Sequence, residues 1–149
     1  MLSRMIFLPL AAVLLVFSLG AQAQAPAARA ADPALFNDLG GLPAIRKVVS
    51  DLIVLMLADE RIRHSFDGVD LPRLDDKLVE QLCELSGGGC SYTGDPMKPV
   101  HQGLKLTNAD FNALVEDLQL AMDRNGIPSR TQNRLLALLA PMQRDIVTR

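Results

Sequence analysis

The segment of this chain richest in reactive groups runs Gly87-Gly88-Gly89-Cys90-Ser91-Tyr92-Thr93-Gly94-Asp95-Pro96-Met97-Lys98-Pro99-Val100-His101-Gln102-Gly103. It sets one imidazole, His101, in an apolar stretch punctuated by glycine and proline. An imidazole titrates near neutrality and is the commonest metal ligand, so the segment reads either as a ligand site or as an ordinary histidine on a short helix. For an isolated histidine the second reading prevails. The other histidine, His64, lies near a loop and reads as solvated. Cys83 and Cys90 form neither a Cys-x-x-Cys redox pair nor a Cys-x-x-Cys-His covalent attachment signature. Their short separation suits a disulfide in an exported chain, with two buried free thiols as the alternative. Closing so short a loop contributes on the order of 2 kcal/mol and would pin the end of one helix to the loop leading to His101.

Export is read from the first residues. Arg4 precedes an apolar run from Met5 to Leu19, and Ala21-Gln22-Ala23 follows with the small-x-small pattern of a signal peptidase site. Residues 1–23 are therefore expected to be a signal peptide, not a membrane anchor, because the run falls short of the roughly 20 residues a spanning helix needs. The mature protein is expected to be periplasmic or secreted, with no stable membrane insertion after cleavage. Residues 24–31, rich in alanine, read as a flexible tether, and residues 32–149 as one small domain. Fifteen Lys and Arg against 17 Asp and Glu give a net charge of −2 with no basic stripe, which excludes nucleic acid as a partner.

The elements that must position these groups are helices. Apolar residues recur at three- and four-residue intervals and no stretch alternates, so the fold class is all-α. A short helix from Pro33 to Asp38 is broken by Gly40-Gly41. A second carries Ile45, Val48, Val49, Leu52, Ile53 and Met56 and ends near Ala58-Asp59. Asp70 suits the cap of a third that opens with Pro72 and presents Leu74, Leu78, Leu82 and Leu85 on one stripe, ended by the triple glycine. Beyond His101, Thr107 with Asp110 predicts a capping box for a helix through Phe111, Leu114, Leu118 and Met122 that stops at Asn125-Gly126. Ser129 with Gln132 repeats that start signal. The last helix carries Leu135, Leu138, Leu139, Met142 and Ile146, with Pro141 as a kink. Periodicity alone permits a four-helix bundle or a globin-like sandwich.

The ordered set Leu39-Gly40-Gly41, Leu57-Ala58-Asp59, Phe66, Gly87-Gly88-Gly89, Tyr92-Thr93-Gly94 and Met97-Lys98-Pro99-Val100-His101-Gln102-Gly103 resembles the group 1 truncated haemoglobins. The resemblance covers nearly the whole of residues 32–149. It implies a truncated globin-like two-over-two helical sandwich, haem b as the iron cofactor, a diatomic gas as ligand and a redox partner. Carried over position by position, it implies that His101 is the proximal iron ligand, that Phe66 packs on the haem face, that Met97 touches the porphyrin on the proximal side and that Tyr92 lies near a haem propionate. The family's polar distal positions fall here on Ile53 and Leu78, with Leu74 one turn earlier, so the distal wall is expected to be apolar. A donor to a charged partner is worth about 1.5–3 kcal/mol, and losing two weakens oxygen retention by orders of magnitude. Lys77 occupies a position where some relatives carry an internal sixth ligand and others a propionate partner. Both roles stay open, the second favoured by the cost of deprotonating an amine.

The function these expectations add up to is an exported b-type haem protein that binds dioxygen or nitric oxide, or an internal sixth ligand, for ligand binding, nitric oxide chemistry or electron transfer. A haem-dependent nitric oxide dioxygenase or peroxidase, and a haem-free helical interaction domain, are the alternatives. A binding module, however, would have no physical reason to keep His101, Phe66, Met97 and Tyr92 together.

Overall fold

A computed structural model describes residues 32–149, and the expected signal peptide (1–23) and tether (24–31) lie outside the described residues. All regular structure among the described residues is helical. Helix α1 (Pro33–Asp38) starts where expected, capped by Asp32, whose carboxylate accepts from the Ala34 amide at 3.0 Å. Arg134 then clamps it from the far end of the chain, donating to Asp32 and Asp38 at 2.5 Å each. Helix α2 (Gly41–Ala58) is entered through Gly40 at φ 90°, where a β-carbon would stand 2.7 Å from that of Ala44. Only glycine fits that turn. Ile45, Val48, Val49, Leu52 and Met56 of α2 are buried, while Ile53 is half-buried.

A short 3-10 turn, Arg63–Phe66, leads to α3 (Leu71–Leu85), capped as expected by Asp70, whose carboxylate accepts from the Arg73 amide at 3.1 Å. The stripe on α3 differs from expectation in one respect. Val79, Leu82 and Cys83 are its buried residues, whereas Leu74, Leu78 and Leu85 are half-buried. The face carrying Val79 and Cys83 supplies the core, and the face of Leu74 and Leu78 opens onto a cavity.

After α4 (Met97–His101), helix α5 (Asn108–Arg124) opens with the expected capping box. The Thr107 amide donates to Asp110 Oδ2 at 2.8 Å, and the Asp110 amide donates to Thr107 Oγ1 at 3.3 Å. These bonds hold the Asp110 carboxyl below the ordinary range. The second expected capping box does not form. In α6 (Ser129–Leu139) the cap position belongs to Pro128, whose carbonyl accepts from the Thr131 and Gln132 amides at 2.8 and 3.1 Å. Ser129 is already helical and stands one residue too late to cap. Gln132, almost fully buried, instead donates to Asp123 Oδ1 at 2.6 Å and to the Ile127 carbonyl at 2.8 Å, stitching α6 to the end of α5. Pro141 acts as expected: α6 ends at Leu139, a 3-10 turn covers Ala140–Met142, and α7 (Gln143–Ile146) follows.

Helix α2 is central and packs on both α3 and α5; α6 rests on α1, α3 and α5, and α4 on α7. Residues from α1, α2, α3, α5 and α6 share one apolar cluster. No helix among the described residues is long and apolar enough to cross a membrane.

Candidate functional site

The cavity onto which α3 opens has a volume of about 390 Å³ and is walled by α3, α4, α5 and the turn into α7. Leu74 and Leu78 face it from α3, Phe111, Leu114 and Leu118 from α5, and Met142 and Ile146 from the C-terminal segment. Helical spacing explains the convergence, since residues three and four apart lie on one side of each helix. Of the residues singled out from the sequence, Leu74, Lys77, Leu78, Tyr92, Met97 and His101 line this one space. Phe66 does not; it is half-buried against the apolar cluster outside the cavity wall. Of the two adjacent residues on α2, Leu52 reaches the cavity and Ile53 does not. His64 is exposed, as expected.

His101 is half-buried at the end of α4, and its Nδ1 lies 2.7 Å from the Met97 carbonyl oxygen one turn earlier. A carbonyl can only accept, so Nδ1 carries the proton and Nε2 is the ring nitrogen left with a lone pair. Metal-binding histidines are held in this way by a backbone carbonyl on the opposite nitrogen, which fixes both tautomer and ring plane.

The cavity mouth is polar. Lys77 Nζ donates to both carboxylate oxygens of Glu80 at 2.9 Å and to Thr93 Oγ1 at 2.5 Å. Glu80 also accepts from the Thr93 amide at 2.9 Å. The Lys77 ammonium, then the Thr93 donors, hold the Glu80 carboxyl down at about 2. Arg73 reaches Asp95 at 3.4 Å across the same opening. Tyr92 spends its hydroxyl proton on the Asp95 carbonyl at 2.9 Å and so braces its own loop; burial, then the nearby Asp95 charge, pushes its phenol above the ordinary value.

The loop that carries Tyr92 and Thr93 is tied to α3. A disulfide joins Cys83 to Cys90 with their Cα atoms 5.7 Å apart. Gly88 lies flush against it, since a β-carbon there would come within 2.6 Å of Cys83 Sγ. Gly87, at φ 85°, makes the turn out of α3.

Several cavity residues escaped the sequence reading, Val69, Asp95 and Val115 among them. Arg73 and Gln81 both line the space, and both could have been found by extending the α3 spacing from Leu74, Lys77 and Leu78 by a turn. Gln81 is the more unusual, a neutral amide in an otherwise apolar interior.

Haem fits what is present. The site offers one imidazole with a free Nε2, apolar walls on facing helices, and cationic Arg73 and Lys77 at the opening, where a porphyrin's carboxylates would lie. With haem in the cavity, the half-buried Leu74 and Leu78 would face a cofactor in place of protein.

Comparison with known proteins agrees with this geometry. The bacterial-like globin family model matches residues 34–148. A group 1 truncated haemoglobin, GlbN, of Mycolicibacterium paratuberculosis is 38% identical over 121 residues, covering 80% of this chain and 89% of the relative. GlbN of a Nostoc species is 30% identical over 115 residues, covering 77% and 98%. The crystal structure of truncated haemoglobin from Tetrahymena pyriformis in the Fe(III) form superposes with a TM-score of 0.75 at 27% identity, covering 77% of this chain and 98% of that one. Its fold is therefore the two-over-two helical sandwich, and the chain belongs to the group 1 truncated haemoglobins of the bacterial-like globin family.

Proposed function

We propose that this chain is an exported b-type haem protein in which His101 holds the iron and the space beneath α3 admits a diatomic gas, dioxygen or nitric oxide. When bound, haem would supply an iron centre able to take such a ligand, held by His101. The observation that carries the reading is the His101 ring, lining a largely apolar cavity with Nδ1 tied to the Met97 carbonyl at 2.7 Å and Nε2 left to coordinate. Arg73 and Lys77 supply positive charge for the haem carboxylates, and Leu74 and Leu78 exclude water from the gas side.

The position of Lys77 favours this reading over an internally ligated haem. Its ammonium already makes three hydrogen bonds, to both oxygens of Glu80 and to Thr93. Iron coordination would require breaking them and removing a proton. A redox partner that returns the iron to its ferrous form belongs to the proposal, as does export, which is supported by the Met5–Leu19 run, the Ala21-Gln22-Ala23 site and a disulfide of the kind that persists outside the cytosol.

The test replaces His101 with Ala in protein purified after haem supplementation. Wild type is expected to show a strong Soret band that survives desalting, and His101→Ala to lose it. Haem retained by the variant with an unchanged spectrum would assign the iron to another ligand.

A further inference from the structure

We propose that the Cys83–Cys90 disulfide is a redox latch on the haem site: closed, it holds the strap of residues 89–95 across the cavity mouth, and a dithiol reductant opens it so that haem can enter or leave. The inference rests on the haem reading above and adds to it a means of controlling cofactor exchange.

Three observations carry it. First, the strap joins the end of α3 to α4, the helix that carries His101, and its Tyr92, Gly94 and Asp95 line the cavity. Displacing it would uncover the site. Second, the strap has little of its own to hold it there. Among the described residues, 89–95 make no backbone–backbone hydrogen bond: the turn out of α3 ends with the Gly88 amide on the Cys83 carbonyl at 2.8 Å, and the next such bond runs from Val100 to Pro96. The remaining ties are polar contacts at the surface. The Tyr92 amide donates to Glu84 at 3.2 Å, the Thr93 amide to Glu80 at 2.9 Å, and the exposed Arg73 meets Asp95 at 3.4 Å. Water competes for each of these, so the bridge is the one tie that thermal motion does not break. Third, the two sulfurs differ in access. Cys83 is fully buried in α3 and Cys90 is half-buried on the strap, so an attacking thiolate meets Cys90 Sγ. It forms a mixed disulfide there while Cys83 Sγ leaves with the electron pair of the old bond. The reductant's second thiolate then displaces Cys90 and closes the reductant's own disulfide. Two electrons pass from the dithiol to the bridge, and the dithiol's two protons end on Cys83 and Cys90. Cys83 stays packed in α3 throughout, and only the strap is released.

The experiment follows haem transfer from the ferric protein to an acceptor globin, with and without a phosphine reductant, for wild type and Cys90→Ser. Reduced wild type is expected to lose haem roughly tenfold faster than oxidised wild type, a factor within what closing so short a ring is worth. Cys90→Ser should lose it at the fast rate whether or not phosphine is present, which separates the bridge from any effect of phosphine on the iron. If that variant fails to fold, reduced wild type, its two thiols counted by alkylation, carries the comparison alone. Circular dichroism at the same temperature is expected to show unchanged helix content, so that the faster loss reports the strap. Helix content that falls on reduction would mean that the bridge serves the fold as a whole, and overturns the latch. An equal rate of haem loss from reduced and oxidised protein overturns it too, while leaving the haem reading intact. Absence of a Soret band in wild type overturns both.

Discussion

Lys77 shows how much a single side chain's partners narrow its role. The family resemblance placed it beside the pocket, and from there a long flexible stem could have reached iron, a carboxylate or water. The structure gives it Glu80 and Thr93. Because the Glu80 carboxyl is held at about 2 against its ordinary 4.5, the pair contributes fully above the ordinary value and is lost only as pH falls toward 2, so it is intact at any physiological pH. Lys77→Ala is therefore expected to leave the ferric coordination spectrum unchanged at neutral pH. It should also release haem up to about fivefold faster, the most that an ion pair at the mouth of the cavity supports. Spectra and haem transfer to an acceptor globin measure both. A low-spin signature present in wild type and missing in the variant at neutral pH would make Lys77 an iron ligand, with the Glu80 pair broken on loading.

At the scale of elements, the helices were legible because each carries its own punctuation. Asp70 caps α3, the Thr107–Asp110 box opens α5, and Pro141 ends α6, all within a few residues of where sequence alone puts them. What escaped was what each face meets. The start of α6 was misassigned to Ser129 because the carbonyl of Pro128 already serves the first amides, a backbone effect that no side-chain pattern announces. Likewise Leu74 and Leu78 had the period of core residues, and only the packed structure separates a face that meets α2 from a face that meets a cavity. The disulfide acts on this scale too. It anchors the loop bearing Tyr92 and Thr93 to a fully buried point of α3, while Gly87 and Gly89, both at positive φ, leave that loop little rigidity of its own. Reduction is expected to lower unfolding stability by about 2 kcal/mol, the loop-closure value for so short a ring. Denaturant unfolding with and without a phosphine reductant measures it, once intact mass after alkylation without reduction shows no alkylated cysteine. Two alkylated cysteines in the unreduced sample would remove the bridge.

At the scale of the whole molecule, Asp117 stands apart from the other buried polar side chains of the described residues, Ser86, Thr131 and Gln132. Asp117 of α5 is only 7% exposed, and its Oδ2 has no hydrogen-bond partner among the described residues. Arg61, the cation that acts on it, is spoken for: it pairs with Asp59 at 2.7 Å and with Glu116 at 2.6 Å. Burial, then repulsion from Asp59, pushes the Asp117 carboxyl above its ordinary value of 3.8. The folded chain thus binds this proton more tightly than the unfolded chain does. Asp117 accordingly favours folding most below the ordinary value, and that contribution is lost as pH rises through the raised one, leaving a buried charge at neutrality. Asparagine keeps the shape and removes the charge. Asp117→Asn is expected to gain about 1 kcal/mol at pH 7, a rise of a few degrees in Tm, and the advantage should shrink steadily as pH falls toward 3.8. Thermal unfolding of both proteins across that interval reads the difference directly. Melting curves that keep a constant separation at every pH, or none, would mean that the Asp117 carboxylate is not the unpaired charge its surroundings describe.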